Sequence, residues 1–205
     1  MKVIPIFVGV TGHRSICSAS VSSAQKAASL ELRDLQRRAP TTPLILVSAL
    51  AEGADRLMAK LALECGYALW AVLPSSAAEY IKDFESQESK DEFSELLARA
   101  SHTVNAALQA GRLENSTQRP EMYVDVGHQI CRMSHLLIAL WDGVTEEKPG
   151  GTSQVVRLFR SGVFLGANPS GIAYPDCGPV IHIPVSRDGV APDLKGVHWL
   201  APSPG

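Results

Sequence analysis

The chain is poor in cysteine, with Cys17, Cys65, Cys131 and Cys177 spread over its length. They form no C-x-x-C pair and keep no metal-ligand spacing with the histidines, so zinc ribbons and dithiol redox motifs are excluded and a reduced, cytosolic compartment is expected. His13, His102, His128, His135, His182 and His198 are scattered and none falls in H-E-x-x-H, so no metal is expected. An excess of positive charge is also lacking. Lys+Arg number 19 against 21 Asp+Glu, for a formal charge of -2, which argues against a broad basic surface for nucleic acid. No apolar run approaches a membrane span, and Gly12, His13 and Arg14 interrupt the first one too early for a secretory leader. G-x-G-x-x-G, G-x-x-x-x-G-K-[ST] and G-x-S-x-G are absent, which removes support for an ordinary dinucleotide dehydrogenase, a P-loop NTPase and an elbow-type hydrolase.

What is present suits one α/β domain. Hydrophobic residues make up 45% and charged residues 20% of the 205 positions, enough for one sizeable core. Residues 3–10 form an apolar, β-branched strand ending in the turn at Gly9–Gly12. From Ala19 to Arg38 the apolar positions Val21, Ala24, Ala28, Leu32 and Leu35 recur at helical spacing before Pro40. Leu44–Val47, Ala68–Leu73, His135–Trp141 and Val180–Ile183 are further strands. Gly53–Cys65, the stretch around Phe93–Ala100, Met122–Met133 and Ser153–Arg160 are helices, with Gly66 and Gly162 as stops. Ser75–Lys90 is polar and expected to face solvent, and the loop Gly166–Pro179 shows no periodicity. Alternating strands and helices predict a Rossmann-like, doubly wound, mainly parallel sheet with helices on both faces. The domain is read as residues 1–183, followed by a Pro-rich tail or linker, 184–205, leading toward an effector domain outside this chain.

In such a sheet, ligands sit beyond the carboxyl ends of the strands, where helix N-termini offer free N–H groups. Gly9-Val10-Thr11-Gly12-His13-Arg14 follows the first strand and brings glycines for close approach, a hydroxyl and a fixed positive charge, a set suited to phosphate. Ser48 through Asp55 follows the second strand, with Ser48 and the Gly53 backbone able to meet a ligand and Glu52 or Asp55 able to accept from ribose hydroxyls. Trp141-Asp142-Gly143 and then Pro149-Gly150-Gly151-Thr152 form a second glycine-bearing turn into a helix. Tyr80 of the Glu79-Tyr80 pair could reach a base or ribose. Structural alternatives stand beside each: Gly12 as a tight turn only, Arg14 as a solvated side chain, Asp55 as a complement to the helix dipole, Tyr80 as a residue packed beneath a loop.

The strings VGVTGHR, SALAEGADRL, LIALWDG and GGTSQVV, in this order and spacing, resemble the SLOG group of the LOG and Smf-type DNA-processing superfamily. The resemblance runs from the first strand to Ile183 and includes Leu73-Pro74, Glu79-Tyr80, Asp83-Phe84 and Glu92-Phe93. It implies a Rossmann-like fold and a pocket for a nucleotide-derived ligand, such as a cyclic oligonucleotide or an ADP-ribose or NAD derivative. It also implies a sensor role in bacterial antiphage systems, control of a joined or associated effector, and a homo-oligomer. The positions carried over are Thr11, Gly12, His13 and Arg14; Ser48, Glu52, Gly53 and Asp55; and Asp142, Gly143, Gly150, Gly151 and Thr152. The hydrolytic branch, which cleaves nucleoside 5′-monophosphates at the N-glycosidic bond, carries P-G-G-x-G-T-x-x-E. This chain departs from that pattern, with Val155 three positions after Thr152. No catalytic residue or cofactor is therefore assigned, and phosphoribohydrolysis is the alternative to sensing.

Overall fold

The computed structural model describes residues 3–111, 119–146, 148–162, 177–187 and 196–203. Most of the Gly166–Pro179 loop and the positions of Pro192 and Pro204 lie outside the described residues. In chain order the elements are β1 (Ile6–Gly12), α1 (Ser18–Arg38), β2 (Leu44–Ser48), α2 (Ala54–Glu64), β3 (Ala68–Leu73), α3 (Ala77–Tyr80), α4 (Gln87–Ala98) and β4 (His102–Asn105). Then follow α5 (Ala106–Gln109), α6 (Arg119–Met133), β5 (Leu136–Trp141), α7 (Thr152–Ser161), β6 (Val180–Pro184) and β7 (His198–Leu200). A 3₁₀ turn, Ile81–Asp83, links α3 toward α4.

The strands form one sheet in the order β4-β3-β2-β1-β5-β6-β7. All neighbours are parallel except β7, which runs antiparallel to β6 with His182 opposite His198. The fold is the α/β, Rossmann-like, doubly wound class read from the sequence. Alternation along each strand divides the core in two. Val8, Val10, Leu46, Leu69, Ile138 and Ile181 face α1, α2 and α4 through Ala28, Leu32, Met58 and Phe93. Val47, Val72, Leu137, Ala139 and Val180 face α6 and α7 through Val126, Ile130, Val155 and Phe159. Central strands that are buried on both faces read as continuous apolar runs, as β2 and β5 do.

Two expectations are corrected and one strand is added. Ser75–Lys90 is not a solvent-facing loop, because Tyr80 and Phe84 are buried and meet Phe93 edge-on or tilted at centroid distances of 5.4 and 5.1 Å. The short strand β4, over residues to which the sequence reading assigned no element, pairs with β3. The domain also does not stop at Ile183: Val185 and Ser186 are buried, and the supposed tail returns as β7 to cover the edge of β6. Edge strands of three or four partly polar residues carry too little periodicity to stand out in a sequence.

Candidate functional site

The chain leaves the central β1 for β2, β3 and β4 on one side, then returns to β5 on the other. The order therefore reverses between β1 and β5, and the crevice of a doubly wound sheet opens beyond the carboxyl ends of those two strands. A cavity of about 380 Å³ lies there, within the range of roughly 300–1,000 Å³ that encloses small ligands. Thr11, Gly12, His13 and Arg14 of the first turn reach its wall, as do Asp55 and the third-turn residues Gly150, Gly151 and Thr152. Val10, Val126, Ile130 and Val155 make it apolar between these polar ends. The glycine turns from distant parts of the chain thus converge on one space.

The first turn is fastened to both neighbours. His13 N–H donates to Leu140 O and His13 O accepts from Ala54 N–H, each at 3.0 Å. Gly12 is required by packing, since a Cβ there would stand 2.4 Å from Ala54 Cβ and 2.5 Å from Leu140 O. The His13 Nε2 accepts the Asp142 N–H at 3.0 Å and also lies 3.2 Å from Asp142 Oδ2. Burial holds the imidazole below its ordinary pKa despite the Asp142 carboxylate, which agrees with a neutral ring whose Nε2 is the acceptor. Arg14 is half-exposed at the rim, its Nη2 3.3 Å from Glu52 Oε2. A solvated pair of this kind is weak, of order 0–1 kcal/mol, so the guanidinium can be claimed by another anion.

The second turn divides into a support and a wall. Ser48 is buried, its Oγ accepting from Leu50 N–H at 3.1 Å, and it does not line the cavity. Gly53 has φ +75°, and a Cβ there would lie 2.4 Å from the carbonyl oxygens of both His13 and Arg14, so it locks the second turn to the first. Glu52 faces away, with Oε1 accepting from Ser89 Oγ at 2.6 Å. Asp55 alone of this group faces the cavity. Its carboxyl is buried, which raises its pKa, while N–H groups of Ala49 and Ala51 and the charges of Arg14 and Arg56 pull it back, leaving it at about 7.

The third turn supplies the helix end. Asp142 and Gly143 stand behind the wall: Asp142 Oδ1 accepts from Val144 N–H at 3.0 Å and Oδ2 from Arg187 Nε at 2.9 Å. Burial works to raise the Asp142 pKa, but Val144 N–H, Arg187 and His13 together hold it below the usual carboxylate value. Gly150 adopts φ +69° and its N–H donates to Gln154 Oε1 at 2.7 Å. Gly151 is the N-cap of α7, and no side chain caps that helix. Thr152 and Ser153 line the cavity from this uncapped first turn, a location that favours negative charge.

Several wall residues were not among the sequence candidates. Arg187, three positions past β6, donates to Asp142 and, through Nη2, to Glu146 Oε1 at 2.6 Å. The rule of looking beyond each strand end reaches Arg187 once the domain is extended past Ile183. Tyr123 of α6 is held by its hydroxyl on Asp83, which Arg119 also grips; only the tertiary fold brings it here. Lys148 is exposed at the rim. Tyr80 touches the cavity but is wholly buried, so it serves as floor and does not reach outward, and Glu79 pairs with Lys82 at 2.5 Å. Among the described residues no cluster of His, Cys, Asp and Glu is arranged to hold a metal, and no helix is long and apolar enough to cross a membrane.

No family model matches the chain, and no curated protein matches it significantly. Solved structures similar in fold include DNA processing protein A from Streptococcus pneumoniae, at 17% identity and TM-score 0.43, covering 66% of this chain and 41% of that one. Another is DNA processing protein A from Helicobacter pylori, in a structure titled for single-stranded DNA binding, at 15% identity and TM-score 0.48, covering 76% and 61%. The structural-genomics target TM1055 shows 12% identity and TM-score 0.38, covering 66% and 60%. The chain thus spans less than two thirds of each.

Proposed function

We propose that this domain binds a phosphate-bearing nucleotide derivative in the crevice between β1 and β5 and acts as its sensor. The observation that carries this reading is the convergence of Arg14, the uncapped first turn of α7 and Asp55 on one cavity at the point where strand order reverses. Anion, sugar and base find different walls there: N–H donors and a weakly held cation, a carboxyl group, and an apolar centre. The sensor role, the pairing of copies and the control of a joined effector in antiphage defence come from the resemblance stated above, and the cytoplasmic setting from the sparse, motif-free cysteines. A ligand acts as a signal only by favouring one state of the protein. The test is thermal stability across a panel of AMP, ADP-ribose, NAD and cyclic dinucleotides, with molecular size measured alongside. Stabilisation with the nucleotide recovered intact is the expected result, and no stabilisation by any member overturns the proposal. A single-stranded oligonucleotide belongs in the panel as the competing ligand class.

A second reading, phosphoribohydrolysis, is favoured by one observation, the cavity-facing carboxyl of Asp55 held near neutrality, where a general acid works best. Against it stands Val155, buried in the α7 face where the hydrolytic pattern has glutamate. Free base released from AMP at high protein concentration would establish this reading over sensing.

A further inference from the structure

We propose that Asp55 is the sugar-hydroxyl acceptor of the cavity, so that the site takes ribonucleotide derivatives with a free vicinal diol and rejects their 2′-deoxy counterparts. This inference rests on the nucleotide reading above and narrows it.

Asp55 stands in the first turn of α2, directly after β2, and is 6% exposed while still lining the cavity. No cation forms a salt bridge with it among the described residues. What holds it is the N–H of Ala49 and of Ala51, with Arg14 and Arg56 acting at longer range. The neighbouring wall is Ala49, Ala51, Pro74 and Tyr80, so beyond the Tyr80 hydroxyl, which lies close enough to feel its charge, the carboxyl has the cavity itself from which to take further donors. A carboxyl used merely to complement the α2 dipole would do so at the surface, without the cost of desolvation.

The chemistry of the missing partner follows from what the wall can accept. Once ionised, a carboxylate offers about four lone-pair sites, more than the N–H groups of Ala49 and Ala51 fill, and donors arriving from a ligand would favour that ionised form. A second anion would be repelled, whereas a vicinal diol presents two adjacent O–H donors to the two oxygens in charge-assisted bonds. Position agrees. Asp55 and the first turn of α7 line the same cavity, so an anion at the α7 end and a hydroxyl pair at the Asp55 end fit one ligand that carries both phosphate and sugar.

The test is calorimetric titration of the full chain with two matched pairs, AMP against 2′-deoxy-AMP and ADP-ribose against 2′-deoxy-ADP-ribose, with inorganic phosphate as the anion probe. Asp55→Asn and Asp55→Ser are titrated in parallel, their folding checked by circular dichroism melts. The wild type should prefer the ribo member of at least one pair by about tenfold or more. Both variants should bring that ratio to within about twofold while leaving phosphate affinity unchanged. Equal binding of ribo and deoxy members by the wild type, or a ratio that survives in both variants, overturns the role of Asp55 and leaves the nucleotide reading standing. Absence of binding by every nucleotide and by phosphate overturns both.

Discussion

Arg187 Nε donates to Asp142 Oδ2 at 2.9 Å, and this one bond ties the segment after β6 to the turn after β5. The Asp142 N–H in turn donates to His13 Nε2. The ends of β1, β5 and β6 are therefore joined at the cavity wall through His13, Asp142 and Arg187, and a ligand at the crevice meets a frame already set. Preorganisation of this kind lowers the ordering cost that binding would otherwise carry.

Arg187→Ala should lower stability by about 1 kcal/mol, at the modest end for a hydrogen bond to a charged group because Arg187 is partly solvated. The loss comes from Asp142, whose side chain is 6% exposed, and not from Glu146, which lies in solvent. Glu146→Gln should accordingly leave the urea midpoint where it was. A midpoint that falls equally for both variants would place the frame elsewhere.

Two buried carboxyls should give stability profiles of opposite sign. Asp55 keeps its proton in the folded chain up to about pH 7 against an ordinary value of 3.8, so its contribution is fully present below about pH 4 and is lost as pH rises to 7. Asp142 is held below the ordinary value, so its contribution is present above about pH 4 and is lost as acid is added. Melting curves of Asp55→Asn against the parent between pH 4 and 8 should show a gain for the variant that grows toward pH 8. Asp142→Asn should instead show a deficit that shrinks in acid. A gain at Asp55→Asn that stays flat with pH would contradict its burial as a near-neutral acid.

The central strands and long helices were legible because their apolar patterns are continuous, as β2 and β5 show, and the turns were legible because glycine marks them. The edges were not. His102–Asn105 and His198–Leu200 owe their strand form to the neighbours they pair with, β3 and β6. At the site, Thr11 to Arg14 and Gly150 to Thr152 sit where strand-end reasoning puts them. Ser48, Glu52, Gly53, Asp142 and Gly143 instead stand behind the wall. Their residue types suit a ligand and suit turn-to-turn packing equally, and only coordinates separate the two. Tyr123 was invisible because only the tertiary fold brings it to the cavity, and Arg187 was missed because the domain was cut at Ile183, short of the strand-end turn that holds it.

Gly150→Ala should be among the more damaging small changes in the chain. At φ +69° an alanine is strained by roughly 1–2 kcal/mol. Its Cβ would also lie 2.8 Å from the backbone carbon of Tyr123, which helix α6 cannot yield cheaply. Gly111→Ala, at φ +70° with nothing within 4 Å, carries the strain alone and is the control. The melting temperature should fall further for Gly150→Ala, and phosphate affinity should fall with it as the α7 turn shifts. Equal losses in the two variants would mean that the turn does not lean on α6.

Arg56 sets the second turn from below, and its replacement should separate charge from shape. Its side chain is 2% exposed and lies over the Phe84 ring at 4.3 Å. Nε donates to Leu50 O at 3.0 Å, while Nη1 serves Ser89 and Glu92 at 2.8 Å. Leu50 holds φ 54°, an uncommon conformation for leucine, so this bond steadies the strained residue that leads to Asp55. Lysine keeps the charge but cannot span both sides of the fork or stack its plane on the ring. Arg56→Lys should therefore lose most of what Arg56→Ala loses, about 3 kcal/mol, the low end for breaking a buried pair because Glu92 is partly solvated. Urea unfolding measures this directly, and a lysine variant as stable as the parent would show that charge alone holds α2 to α4.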